Sequence, residues 1–277
     1  MVRLLQIVAL SLVVTLLGGC SGPEENKPIW EQVKMGDLAA PNTAKRPSDQ
    51  LSKIINFNVY IFEIPAGKIG LLDDIWRMLH VWPLQFNDYD AFCANLFSAG
   101  FGQIRMWTKI SALLRDAGAK KTPTVSLLLS EGQADDLIVA RLYREQPIFY
   151  TSTGGSMEGA TIGPGTLSLR IKVEKIPGSR GVCNVRVHPV FSPPMMSSIP
   201  QLAARAKAGE LDFICAGFRL KMSPGDFFLL APKEYISDQM TLGSLFFTKS
   251  KSSLSAVKPE RKPAIRVFLV VCTSINV

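Results

Sequence analysis

Only two histidines occur in the 277 residues, and the five cysteines include no Cys-x-x-Cys pair. Zinc sites draw on clustered Cys and His at short spacing, so this scarcity argues against a metal centre. It also removes the usual carrier of acid–base chemistry near neutral pH. His80 reads as lying on the buried side or edge of a Trp-flanked helix, and His188 as closing a strand alternation. Neither has a partner at ligand or triad spacing, so both read as structural. The paired carboxylates Asp73-Asp74 and Asp135-Asp136 are sequence neighbours; on a helix such neighbours point about 100° apart, which does not make a catalytic dyad. Asp73-Asp74 instead suits a helix N-terminus, where negative charge is favoured. Gly163-Pro164-Gly165 lacks the Lys-Ser/Thr of a phosphate loop and reads as a turn into a strand. Glu63 reads as a strand-edge or turn residue. No enzyme, metal or cofactor is expected. Past residue 17 no apolar run approaches the roughly 18 residues of a membrane-crossing helix.

What is present begins at the N-terminus. Met1-Val2-Arg3 carries one positive charge, and an apolar stretch runs from Leu4 to Leu17. As a helix it would cover roughly 20 Å, short of a bilayer core of about 30 Å but suited to a signal-peptide core. Leu17-Gly18-Gly19-Cys20 follows, which resembles the bacterial lipobox: Leu, two small residues that let a peptidase approach the backbone, then the cysteine that receives lipid. The resemblance implies a signal peptide over 1–19 and a lipoprotein held to a membrane through Cys20, with the covalent lipid as its one non-protein group. Ser21 in place of Asp points to the outer membrane, facing the periplasm. An exported chain has no access to nucleic acid. Its net charge of +8 favours anionic envelope surfaces.

Hydrophobic residues make up 47% of the chain, with 18 prolines and 21 glycines, the composition of an ordinary folded domain. Residues 20–53 are polar and proline-dotted and read as a flexible tether spanning roughly 30 Å. The folded domain is expected over 54–277. An oxidising compartment permits disulfides among Cys93, Cys183, Cys215 and Cys272, in any of three pairings. Their apolar neighbours make buried free thiols an equally good reading.

Phe57–Ile64 is aromatic and β-branched and predicts a strand. Leu71–Val81 has helical spacing, with Leu72, Ile75, Trp76 and Leu79 on one face. Asn87-Asp88 offers a cap for a helix over Tyr89–Phe97, and Gln103–Ala117 is the clearest helix, ended by Gly118. Strands are expected over Val125–Leu129, Ala134–Tyr143 and Gln146–Tyr150, followed by a Gly/Ser/Thr loop over 151–165. Leu167–Glu174 and Val182–Val190 alternate apolar and polar, predicting one wet and one buried face. The last third repeats this pattern with Phe218–Met222, a turn at 223–226, Phe227–Leu230, and a final strand Ile265–Thr273.

That order carries a second resemblance. Gly165-Thr166-Leu167 opens one strand; its partner ends Pro189-Val190-Phe191-Ser192. A turn Pro224-Gly225-Asp226, the segment Leu242-Gly243-Ser244-Leu245-Phe246-Phe247 and an apolar strand follow. The chain resembles the C-terminal homology domain of the secretins, the multimeric outer-membrane pores of type II and III secretion and type IV pilus machines, most strongly over 163–192 and 223–272. The resemblance implies an α+β fold: a β-rich secretin-like core sheet with two or three helices inserted in its N-terminal half. The strands 167–174, 182–190, 218–222 and 265–273 would pair, with Leu242–Phe247 as a clasp on the sheet. No N-terminal ring domains are expected from this sequence, and 193–217 reads as a loop and short helix where the family threads its membrane lip.

Arg170, Lys172, Arg186, Arg219 and Lys221 fall on the polar positions of these strands. Were the strands neighbours, they would form one positive face, either simply solvated or a docking site for an acidic partner or glycan. Two functions follow as expectations. One is a secretin-like component or accessory of a protein-transport assembly, forming homo-oligomers or meeting secretion-system proteins. The other is a monomeric lipoprotein module that binds envelope glycan or a protein partner.

Overall fold

A computed structural model describes residues 54–179, 181–194, 209–236, 240–248 and 263–276. The expected leader, the lipobox-like Leu17–Cys20 and the expected tether over 20–53 lie outside the described residues. The fold is α+β and β-rich. In chain order it runs β1 (Ile54–Pro65), a 3-10 segment Ala66–Leu72, α1 (Asp73–Met78), β2 (Gln85–Phe86), α2 (Tyr89–Ala94), β3 (Phe97–Gln103), a 3-10 turn Ile104–Met106 and α3 (Trp107–Asp116). Then come β4 (Lys120–Lys121), β5 (Val125–Ser130), β6 (Ala134–Leu142), β7 (Gln146–Thr151), β8 (Met157–Ile162), β9 (Gly165–Lys175) and β10 (Cys183–Ser192). The last elements are β11 (Leu211–Asp212), a 3-10 turn Ile214–Ala216, β12 (Phe218–Met222), β13 (Asp226–Pro232), α4 (Leu242–Phe247) and β14 (Ala264–Ile275).

Two six-stranded sheets face one another. The first has the order β3-β13-β14-β1-β4, with β5 also on β1; the second has β2-β12-β10-β9-β6, with β11 on β10. Strand chemistry explains which sheet lies inside. In β14, Phe268, Val270 and Cys272 face the second sheet, while Ile265, Val267, Leu269 and Val271 face the helices, and all are buried. A strand covered on both faces reads as a continuous apolar run, as this one does. Among the described residues the second sheet is covered on one face only. Leu167, Leu169, Ile171 and Val173 of β9 point inward, and Arg170, Lys172 and Glu174 point out. The layers are therefore helix, sheet, sheet. Trp107, Ile110 and Leu114 of α3 join Leu72, Ile75 and Leu79 over the first sheet, with the Trp107 ring 6.4 Å from Phe62. Each large side chain buried here contributes about 2 kcal/mol of transfer free energy.

Phenylalanines close one end of the sandwich. Phe92 lies 4.7 Å from Phe86 and 5.5 Å from Phe97, and Phe97 lies 4.9 Å from Phe247 and 5.4 Å from Phe246. Phe246 continues the seam to Phe268 of β14 at 5.8 Å. Helix α4 docks through this seam. Thr241 and Ser244 cap it reciprocally, and Leu242, Phe246 and Phe247 are buried while Leu245 is half-buried. Gly243 allows the docking, because a Cβ there would stand 2.3 Å from the Asn95 carbonyl oxygen.

Several expectations are corrected. The helix over 71–81 is a 3-10 segment followed by a short α1, with Asp73 and Asp74 in its first turn. His80 is exposed beyond it, its backbone exchanging hydrogen bonds with Phe101, and Trp82 is 94% exposed. Helix α2 stops at Ala94, Leu96 turns with φ +68°, and Phe97–Gln103 is a strand. Gly102 disguises that strand in the sequence. Glycine weakens strands, yet a Cβ at 102 would sit 2.4 Å from the Phe227 ring. The segment 151–165 is not a loop throughout, since Met157–Ile162 pairs with Gln146–Thr151 in a hairpin. Glu63 lies within β1 rather than at its edge, opposite Arg266 on one side and Lys120 on the other.

The turn at 223–226 does not close a hairpin. β12 belongs to the second sheet and β13 to the first, so this turn carries the chain from one layer to the other. For the same reason 265–273 does not pair with the strands at 167–174, 182–190 and 218–222. It lies between β1 and β13 in the opposite sheet. Pro189 occupies a position that needs no N–H on one side. β12 pairs with β10 only as far as Val187, β11 resumes at Val190, and the Pro189 carbonyl accepts from Phe213 N at 3.0 Å in the gap.

Candidate functional site

The register places the five basic residues on one face of one sheet. Arg186 stands opposite Lys172 on one side and Arg219 on the other, Arg170 opposite His188, and Asn184 opposite Lys221. Neighbourhood is therefore as the alternation implies. A positive platform is not what results. Glu174, on the same face, accepts from Lys172 at 3.3 Å and Arg186 at 3.2 Å. Arg219 donates Nε to Gln85 Oε1 at 2.8 Å.

Arg170 is the most heavily engaged. Its Nε and Nη2 donate to the two Asp136 oxygens, each at 2.7 Å, and Nη1 and Nη2 donate to Glu210, each at 3.2 Å. Asp212 lies 3.4 Å from Nη1, and Ser192 Oγ donates to Glu210 at 3.0 Å. Hydrogen bonding to Asp136, and after it to Glu210, raises the affinity of the guanidinium for its proton, against the effect of burial. One cation here meets three carboxylates, so this corner of the face is acidic. Bidentate arginine–carboxylate pairing fixes geometry as well as charge. Arg170 thus staples the edge strand β6 and the segment 209–212 onto β9. His188 lies 3.5 Å from Asp212, and burial holds its imidazole below the ordinary histidine range. Periodicity could show where the cations point. It could not show Glu210 and Asp212, which come from 40 or more residues away.

A second site lay outside the sequence reading. The β7–β8 hairpin is joined to the body by Asn95, which is 1% exposed. Its Nδ2 donates to Ala91 O at 2.8 Å and Thr151 O at 2.7 Å, and its Oδ1 accepts from Thr151 N at 2.8 Å. The amide therefore takes the place of a strand neighbour at Thr151. Asp88 holds the hairpin tip. Its carboxylate caps α2 through Ala91 N at 2.9 Å and accepts from Gly154 N at 3.0 Å. Those two N–H groups, Ala91 first, keep it below the usual carboxylate range. Tyr150 donates to Glu158 at 2.8 Å, which pushes the phenol up to about 12.

The inner side of the hairpin is anchored by Ile148 and Ile162, both buried, and by Tyr150 packed edge-on against Phe213 at 5.1 Å. Its outer side is apolar and exposed. Phe149 is 47% exposed, Met157 78%, and Met240, whose carbonyl accepts from Phe149 N, 46%. The far edge of β8 has no strand partner among the described residues. An unpaired edge beside exposed apolar side chains is a template for another chain. A signal for this hairpin did exist in Gly154-Gly155 between two short β-prone segments, which the Gly and Ser content of 151–165 obscured.

Gly165 opens β9, Leu167 and Leu242 are core residues, and Gly225 sits in the turn between the sheets. The four cysteines among the described residues, Cys93, Cys183, Cys215 and Cys272, are free thiols. No group of three His, Cys, Asp or Glu among the described residues is placed to hold a metal. Among the described residues no helix is long and apolar enough to cross a membrane.

Neither a protein-family pattern nor any curated protein matches the chain. Among solved structures it is similar to the "InvG secretin domain beta-barrel from Salmonella SPI-1 injectisome NC-base", at 10% identity and a TM-score of 0.25, over 82% of this chain and 64% of that one. The chain thus spans less than two thirds of that structure's length.

Proposed function

We propose that the protein is a non-enzymatic, lipid-anchored component of the cell envelope that works by assembling with copies of itself, as a secretin-like part or accessory of a protein-transport assembly. The observation that carries this reading is the β7–β8 hairpin. It is clamped by Asn95 and Asp88 yet exposes Phe149 and Met157 beside a strand edge that is unpaired among the described residues. A hairpin held this firmly is pre-organised, so strand addition to it loses little conformational freedom. The motif order over 163–192 and 223–272 supports the secretin-like part of the reading. Cys20 supplies the membrane attachment, and the outer membrane is the location that Ser21 favours.

The charged face supports the alternative less well. A docking site for acidic glycan needs a marked excess of cations, and here Glu174, Asp136, Glu210 and Asp212 leave the five cations an excess of only one. The full chain, extracted in detergent with its lipid, should therefore run as an oligomer by light scattering and give closed or arc-shaped particles by electron microscopy. Phe149→Asp with Met157→Asp should dissociate it. A monodisperse monomer at micromolar concentration would remove the assembly reading and leave the monomeric binding module. Cys20→Ser should move the protein from the membrane to the soluble fraction.

A further inference from the structure

Backbone polarity fixes which groups β8 offers to solvent. In an antiparallel pair, the N–H and C=O of one residue point to the same side, and successive residues alternate sides. Phe149 N donates to Met240 O at 2.8 Å. Thr151 N donates to Asn95 Oδ1 at 2.8 Å, and Thr151 O accepts from Asn95 Nδ2 at 2.7 Å. Phe149 and Thr151 of β7 therefore turn their backbone groups away from β8, and by the same alternation so does Pro147, which has no N–H to offer. The cross-strand partners of these three are Gly159, Met157 and Thr161. Those residues in turn direct their N–H and C=O away from β7, to the far edge of β8. No described strand meets them there, and all three are exposed. The β8 sequence Met-Glu-Gly-Ala-Thr-Ile also lacks the proline, lysine or arginine that guards many natural edges.

We propose that β8 pairs antiparallel with β8 of a second copy, about a two-fold axis at Gly159. This rests on the reading of the hairpin as a self-assembly surface, and adds the partner strand, the symmetry and the register. Within β8 one register pairs every free edge group: Met157 opposite Thr161 of the second copy, and Gly159 opposite Gly159. A slip of two residues leaves one N–H and one C=O on each chain without a partner. The side chains suit the same register. Phe149, Met157 and Gly159 share the outer face, and a two-fold normal to the sheet continues that face into the second copy. The Phe149 ring lies 3.4 Å from where a Cβ at 159 would stand, so glycine at the axis leaves no side chain between the two rings. On the other face Glu158 falls opposite Ala160 of the second copy, so like charges do not oppose directly. Each Glu158 accepts from its own Tyr150 at 2.8 Å. Such an isologous contact closes at two copies. Particles built on it therefore hold an even number of chains, and a ring requires a second contact elsewhere.

The test uses the full chain in detergent, with amide hydrogen exchange followed at low and high protein concentration and the mass read by light scattering. On association the Met157, Gly159 and Thr161 amides should slow by roughly tenfold or more, while Phe149, already bonded to Met240, changes little. Oxidative cross-linking reads the register. Gly159→Cys should link two copies through position 159, because Cα atoms of a hydrogen-bonded pair stand about 5.5 Å apart, within disulfide reach. Thr161→Cys alone should not link, since its two copies lie roughly 13 Å apart along the strands. Met157→Cys combined with Thr161→Cys should link. Association without slowed exchange at the three amides, or with Thr161→Cys linking as readily as Gly159→Cys, overturns the β8 pairing and leaves assembly through another surface. A monomer at every concentration overturns the pairing and the assembly reading together. The exchange measurement uses the unaltered chain, so it decides even if a variant folds poorly.

Discussion

Asn95→Ala isolates the attachment of the hairpin to the body. Besides a long contact to Cys215 Sγ, the wild-type amide makes three bonds to backbone atoms, Ala91 O, Thr151 O and Thr151 N. Truncation removes all three and leaves the Thr151 N–H and C=O without these partners. Each such group, fully buried, costs about 1–3 kcal/mol when unpaired. Thr151 is only half-buried, so water recovers part of this, and a total of about 2–3 kcal/mol is expected. That is a roughly 30- to 150-fold change in the opening equilibrium, since about 1.4 kcal/mol is a factor of ten. Opening should be local, because Phe92, Phe97 and the two sheets do not depend on the amide. Hydrogen exchange at Thr151 and cleavage by a nonspecific protease within 152–156 should therefore accelerate more than the global unfolding midpoint falls. On the proposed assembly, the stability of the oligomer should drop with them, since the hairpin is no longer pre-organised. Unchanged exchange at Thr151, with a stability change below about 0.5 kcal/mol, would refute the clamp.

Three further outcomes follow from individual contacts. Gly243→Ala places a methyl 2.3 Å from the Asn95 carbonyl and should cost about 1–3 kcal/mol, lowering Tm by roughly 3–10 °C in a thermal scan. Arg170→Met leaves Asp136, Glu210 and Asp212 facing one another without their shared cation. A loss of about 1–3 kcal/mol is expected by denaturant titration, with faster exchange along β6, and Arg170→Lys should recover only part of it because a lysine cannot pair bidentately. His188 is a base whose folded-state proton affinity is lowered by burial, against the pull of Asp212. The unfolded chain therefore binds the proton more readily, so stability is full above about pH 6.5 and declines as pH falls through the lower folded value. A Tm profile from pH 7.5 to 5 should show this decline, and His188→Gln should flatten it.

Alternation on β9 and β10 was legible because the two strands keep period two over 169–174 and 183–188, and with it the buried and wet faces of the second sheet. The apolar run of β14 was equally clear as a strand. Its sheet was not, since a run buried on both faces carries no mark of which layer it joins. The turn at 223–226 misleads for a related reason, because Pro224-Gly225 specifies a reversal of direction and says nothing about whether the strands it joins then pair. β3 escaped because tertiary contact outranked propensity. Phe227 occupies the space that a side chain at 102 would need, so a poor strand former was the residue that fits.

The charged face shows the same limit in functional terms. Strand alternation assigns a direction to each side chain, but the sign of a surface is a sum over everything brought beside it. Arg170 and Glu210 are 40 residues apart, and Arg170 and Asp136 are 34. Five cations on one face therefore predicted a platform, while the fold delivers a largely self-compensated surface whose most buried cation is structural. The apolar hairpin reverses that pattern. Its composition looked like a loop, yet Asn95 and Asp88, 56 and 66 residues distant from their hairpin partners, hold it as a rigid ledge with hydrophobic side chains outward. Charges that are already paired offer a partner little net gain, whereas exposed Phe149 and Met157 gain about 25 cal/mol for each Å² they bury. The physical incentive for association thus lies at the hairpin, and a double aspartate substitution there should abolish what charge reversal of Arg186 and Arg219 leaves intact.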